Sequence, residues 1–199
     1  MTPNLYRAVA VADATTLGEP KHRRSTTRLA VNVPAIVDNV WEYLRPTSMP
    51  CRRHAVYASP SPALADKCMS GSARERGIVV CQVTISGPAK VAQLQIEDAR
   101  EHADIKIITG LLQARIEALL AGPYETRQAA SVLFLPGARA AEVLRCIETS
   151  PFAADFVSEA TALSTFWSGA RDSVVDPVGE VFFELEEGAT YHLTTLEAA

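Results

Sequence analysis

The chain has 199 residues, 48% of them hydrophobic and 21% charged, with a formal net charge of −4. These are ordinary globular values for one domain that folds without disulfide staples, and they give no indication of a strongly basic nucleic-acid surface, although local patches stay open. Cys51, Cys68, Cys81 and Cys146 form no C-x-x-C pair and no zinc spacing, so they read as buried reduced thiols. The N-terminus lacks a basic stretch followed by an apolar one, and no apolar run reaches about 18 residues. The expectation is a cytoplasmic protein, in its own or a host cell, with no cleaved secretion signal and no membrane association.

In chain order, "NLYRAVAV" (4–11) is rich in β-formers and predicts a strand. Residues 13–30 are polar and predict a long loop, with Lys21, Arg23, Arg24 and Arg28 as a small basic cluster. In "PAIVDNVWEYL" (34–44), Ile36, Val37, Val40, Trp41 and Leu44 recur at helical spacing behind Pro34. "HAVYA" (54–58) predicts a short strand, and "PALADKCMSG" (62–71) a short helix ended by Gly71. "IVVCQVTI" (78–85) and "KVAQLQI" (90–96) predict strands. Over 100–121, Ile105, Ile108, Leu111, Leu112, Ile116, Leu119 and Leu120 recur at three and four, predicting a long helix ended by Gly122-Pro123. "SVLFLP" (131–136) predicts a strand, and 138–148 and 158–168 helices. "EVFFEL" (180–185) and "TYHLTTL" (190–196) predict two strands joined by "EEG" as a hairpin. Strands and helices do not alternate as βαβ, so the expected class is α+β with a mixed sheet.

Several chemistries lack their signatures. There is no G-x-G-x-x-G after a strand, no Walker loop, no H-E-x-x-H, no ligand pair among the four histidines and no G-x-S-x-G elbow. Glu97, Asp98, Glu101 and Asp104 gather at the start of the long helix, where the helix dipole favours carboxylates.

Three separated features remain. Arg7 stands inside the apolar strand "LYRAV", where it either faces water at an edge or presents its planar fork at a cleft. "YASPSP" places Ser59 and Ser61 at a strand-to-helix junction; Ser61 is well placed to cap the helix that Pro62 starts, which leaves Ser59 for a site. Glu180 opens an apolar strand behind a Pro/Gly loop, either as a solvated strand end or hanging into a cleft.

In this order the three resemble the signature elements of the Arg-Ser-Glu branch of the mono-ADP-ribosyltransferase family: an aromatic-Arg pair on a first strand, a Ser-x-Ser strand end leading into a helix, and Glu-Val at the mouth of a later strand. The resemblance covers about 40 residues at these three places. It implies a largely antiparallel split sheet with flanking helices in one domain, with a largely helical insertion at about 98–170 that supplies target recognition. It implies cleavage of the nicotinamide–ribose bond of NAD through an oxocarbenium-like transition state. Glu180 would stabilise the ribose charge, Arg7 would bind NAD near its phosphates and brace the cleft, and Ser59 or Ser61 would orient Glu180 or touch the nicotinamide ribose. Tyr6 or Tyr57 would stack on nicotinamide, His54 would contact ribose, and no metal is needed. Members modify host proteins, nucleic acid or small molecules, among them bacterial and phage-type toxins and effectors; here a macromolecular acceptor is expected, protein before nucleic acid. The basic loop and Arg52 and Arg53 could touch an acidic target. Val178 stands where family members often carry Glu or Gln, which counts against an arginine side chain as acceptor. Two other activities suit the same chain: an NAD glycohydrolase on the same residues, and a non-catalytic inhibitor or adaptor that binds a protein.

Overall fold

The computed structural model describes residues 4–23, 26–30, 32–69, 74–75 and 77–196. They divide into two compact units: Met1–Thr26, Thr47–Ala99 and Ala170–Ala199 form one, and Thr27–Pro46 and Arg100–Gly169 the other. The class is α+β, and every strand pair in it is antiparallel.

The first unit holds seven strands among the described residues: β1 (Leu5–Ala10), β2 (Lys21–His22), β3 (Val56–Ala58), β4 (Ile78–Ser86), β5 (Ala89–Gln93), β6 (Val181–Leu185) and β7 (Thr190–Thr195). They form two sheets, ordered β1-β4-β7-β2 and β3-β6-β5. The two-residue side-chain period decides what each strand buries. Leu5, Cys81, Val83 and Leu193 of the first sheet and Val56, Ala58, Val181, Phe183 and Leu185 of the second make one apolar core. All five residues of β6 are buried, because it is the central strand of its sheet and both its faces are covered. Among the described residues this unit also holds the helix α2 (Pro62–Lys67).

The second unit is helical: α1 (Ala35–Tyr43), α3 (Ala103–Ala121), α4 (Tyr124–Ala130), α5 (Ala140–Thr149) and α6 (Pro151–Leu163). The amphipathic α1 buries Ile36, Val37, Val40 and Trp41. Phe166 stacks on Trp41 with ring centroids 4.1 Å apart, and the Trp167 indole N–H donates to the Trp41 carbonyl at 2.6 Å. Asn39, fully buried, donates to the Leu133 and Leu135 carbonyls at 3.0 and 2.9 Å. Asp104, also fully buried in the first turn of α3, accepts from the Trp41 indole, the Ser164 and Thr165 hydroxyls and the Thr165 and Phe166 amides. Burial pushes the Asp104 carboxyl up, but hydrogen bonds from Ser164, Thr165 and Trp41 outweigh it and hold it well below the usual carboxylate range. His102 accepts from the Asp104 amide through Nδ1, so in that tautomer the close Nδ1–Oδ1 approach is not itself a hydrogen bond.

Four expectations are corrected. The hairpin of the last two strands does not form: β6 pairs with β3 and β5, while β7 pairs with β4 and β2, so the turn between them carries the chain from one sheet to the other. The strand expected at 131–136 is a 3-10 turn, Ser131–Phe134, because a short apolar run reads alike as strand and as buried helix. The helix expected at 158–168 starts earlier, at Pro151, and ends at Leu163. The segment 13–30 is not a plain loop; it contains the end of a 3-10 helix, Val11–Thr16, and the strand β2. Arg24 of the basic cluster and Gly71, the expected helix stop, lie outside the described residues.

Candidate functional site

The backbones that carry Arg7, Ser59 and Glu180 are far apart in sequence and run close together in the first unit, but the Arg7 side chain lies on the core side and those of Ser59 and Glu180 on the opposite face. Ser59 follows β3 directly, and its N–H and C=O exchange hydrogen bonds with Tyr6 of β1 at 2.7 and 2.8 Å. This bridge joins the two sheets. On its other side, the pairing of β3 with β6 runs down to Ala58 and Val181. The next residues along the two strands are Ser59 and Glu180, so the serine and the glutamate stand at the same strand end.

Strand alternation then sorts the side chains. Ser59 follows Tyr57 on its face of the second sheet, and Glu180 shares a face with Phe182, away from the apolar core. Arg7 lies on the core side of β1, opposite Cys81 in register. Its guanidinium is half-buried and donates to the Tyr57 carbonyl at 2.6 Å, so it reaches across from the first sheet to the strand that carries Ser59. That bond answers the question of the edge-strand arginine: Arg7 has a place inside the fold, where its charge meets an oriented carbonyl dipole.

The two serines separate cleanly. Ser61 caps α2, accepting from the Leu64 amide at 3.3 Å, with Pro62 in the first turn. Ser59 is 5% exposed, and its hydroxyl has no hydrogen-bond partner among the described residues. It makes no bond to Glu180. The carboxylate is held instead by a backbone amide, the Ala99 N–H, which donates to Oε2 at 2.9 Å. Glu180 owes its place in the chain to Gly179. That residue has φ +136°, and a Cβ on it would lie 2.1 Å from the Leu94 carbonyl oxygen, so the backbones pack directly.

The remaining candidates surround this junction. The Tyr57 ring lies 5.9 Å from Phe182, and its hydroxyl donates to the Arg52 carbonyl at 3.3 Å. Tyr6 is half-buried on the bridge to Ser59. The Nδ1 of His54 is buried with no hydrogen-bond partner among the described residues. Arg52 and Arg53, expected at a surface facing an acidic target, are buried at 7% and 4% exposure and are not available for that contact. Arg23 of the basic loop is engaged within the chain, donating to Glu184 Oε1 at 2.7 Å.

Glu184 went unnoticed in the sequence. It is buried inside β6, and its second oxygen accepts from the Cys51 amide at 2.7 Å. The signal was present: a lone carboxylate inside "VFFEL" must find a partner. The role of Ala99 had no such signal, because a backbone amide leaves no trace in the residue type. Gln93 is a third case. Its buried amide accepts from Val175 and Asp176 and donates to the Asp176 carbonyl, pinning the loop that leads to Glu180.

Among the described residues no helix is long and apolar enough to cross a membrane. No family model matches the chain, no curated protein matches it, and no solved structure matches its fold.

Proposed function

We propose that this chain is a mono-ADP-ribosyltransferase that uses NAD as a substrate and transfers ADP-ribose to a macromolecule, protein before nucleic acid. The observation that carries this reading is the junction at Ser59, which is bridged to Tyr6 beside Arg7 and stands at the strand end where Glu180 begins β6. The reading is supported by the backbones that carry the three motif residues, which follow in that order along the sequence and run close together there. The formal charge of −4 favours a protein acceptor, since a polyanion would be repelled by an acidic surface.

In this mechanism the bond between the nicotinamide nitrogen and the ribose C1′ breaks, and its electron pair leaves with nicotinamide. Positive charge builds on the ribose, and the Glu180 carboxylate lowers its energy. The acceptor nucleophile then forms the new bond at C1′ and gives up its proton. The hydroxyl of Ser59 suits a ribose hydroxyl, and the planar guanidinium of Arg7 suits the phosphates.

The test is incubation with NAD labelled on the adenylate. Wild type is expected to move label onto a macromolecule, and Glu180→Ala to lose NAD turnover by a factor of about 100 or more with its circular dichroism unchanged. Free labelled ADP-ribose in place of transfer would make the enzyme a glycohydrolase. Wild-type turnover in Glu180→Ala would withdraw the site assignment, and no NAD turnover by the wild type would leave a binding protein as the reading.

A further inference from the structure

Glu180 is not held by a serine but by a strap, the segment 94–99 that follows β5. Three hydrogen bonds tie the strap to this one residue. The Leu94 amide donates to the Glu180 carbonyl at 2.9 Å, the Glu180 amide donates to the Ile96 carbonyl at 2.7 Å, and the Ala99 amide donates to the carboxylate at 2.9 Å. Gly179 lets the strap lie directly on the backbone beside it. The strap is itself anchored to the helix that starts at the serine motif: Lys67 of α2 pairs with Glu97, and the Cys68 thiol donates to the Glu97 carbonyl at 3.5 Å. A closed circuit results, running from Ser59 through α2 to the strap and back to Glu180.

We infer that the Ala99 amide is a positioning group for Glu180, and that the strap sets the angle at which the carboxylate meets the ribose. This rests on the reading above, and it adds a residue that carries no side-chain chemistry. An N–H aimed at Oε2 fixes the carboxylate at no entropic cost during turnover. A charge-assisted bond to a backbone donor is also stiffer than one to a hydroxyl, because the amide cannot rotate.

The test removes one hydrogen-bond donor. Ala99→Pro deletes the N–H at the first residue of a 3-10 turn. Semisynthesis with lactic acid in place of Ala99 deletes the same N–H by an amide-to-ester change, with no ring added. Both are measured as kcat and KM for NAD turnover, with NAD affinity followed separately by calorimetry. The expected result is a 10- to 100-fold fall in kcat, as follows from misplacing a catalytic group by about 1 Å, with the dissociation constant for NAD unchanged. Ala99→Gly retains the N–H and recovers the turnover that Ala99→Pro loses. If Glu180→Ala abolishes turnover while both N–H deletions keep wild-type kcat, the strap does not position the carboxylate and this inference is overturned, with the enzyme reading intact. A loss of NAD affinity at constant kcat would overturn it equally, since the strap would then serve binding. Turnover that survives Glu180→Ala would remove Glu180 from catalysis and this inference with it, while a wild type that turns over no NAD would bring down the enzyme reading itself.

Discussion

Asp104 keeps a full charge with no exposed surface, and it can do so only because each lone pair is met by a donor. Replacing it with alanine leaves the Trp41 indole and the Thr165 and Phe166 amides without an acceptor. Each orphaned donor costs about 1–3 kcal/mol, so Asp104→Ala is expected to destabilise the protein by about 3–5 kcal/mol in urea denaturation. The dependence on pH has a definite sign. The folded carboxyl titrates below its unfolded value of about 3.9, so its contribution is fully present above about pH 5 and fades as pH falls through the folded value. Wild type and Asp104→Ala should therefore differ most near neutral pH and converge in acid; a gap that widened on acidification would count against the assignment. The cluster of acidic residues near this helix start was visible in the sequence, but not which of them would be buried. Burial depends on Trp41 and on residues 164–166, which no local pattern connects to residue 104.

At the level of elements, α2 offers a short helix whose start is set by one hydroxyl. Ser61→Ala is expected to cost about 1 kcal/mol, the usual value of an N-cap, and to lower the melting temperature by about 2–4 °C for a chain of this size. A melting temperature within error of wild type would show that Pro62 alone starts the helix. This cap was legible because it is local: serine, then proline, then an apolar run. β1 and α3 were legible for the same reason, one through a run of β-formers and the other through Ile108 and Leu119 at helical spacing. Besides the short apolar run at 131–136, the helix bounds at 158–168 and the segment 13–30, the failure concerns partners rather than periods. β6 and β7 are neighbours in sequence and were expected to pair, yet β6 is buried throughout and apolar but for Glu184, the mark of a central strand covered on both faces. A strand of that kind needs two neighbours, and it finds them in β3 and β5. The candidate site was legible as three residues, and the approach of their backbones was not, because the Tyr6–Ser59 bridge is a pairing between sheets.

The whole molecule carries four free thiols that report on both units. Cys51 and Cys81 belong to the sheet unit and Cys146 to the helical one, and all three are buried. Burial pushes the thiols of Cys81 and Cys146 up, which keeps them in the unreactive form. In native protein at pH 8, a disulfide reagent is expected to label Cys68 promptly and the other three only as the fold opens, with all four accessible in denaturant. In Asp104→Ala, labelling of Cys146 should accelerate; equal protection of Cys146 in both proteins would separate it from the Asp104 network.

The division of the chain also sets an order in time. The helical unit is made of Thr27–Pro46 and Arg100–Gly169, while the sheet unit needs Ala170–Ala199 as well as the first residues of the chain. A ribosome therefore finishes every helix before it makes β6, the strand on which β3 and β5 both depend. Until that last segment emerges, β3 and β5 have no common neighbour and Glu180 does not yet exist. On the reading proposed here, activity is the last thing synthesis adds: a message cut short after codon 169 encodes the complete helical unit and no enzyme.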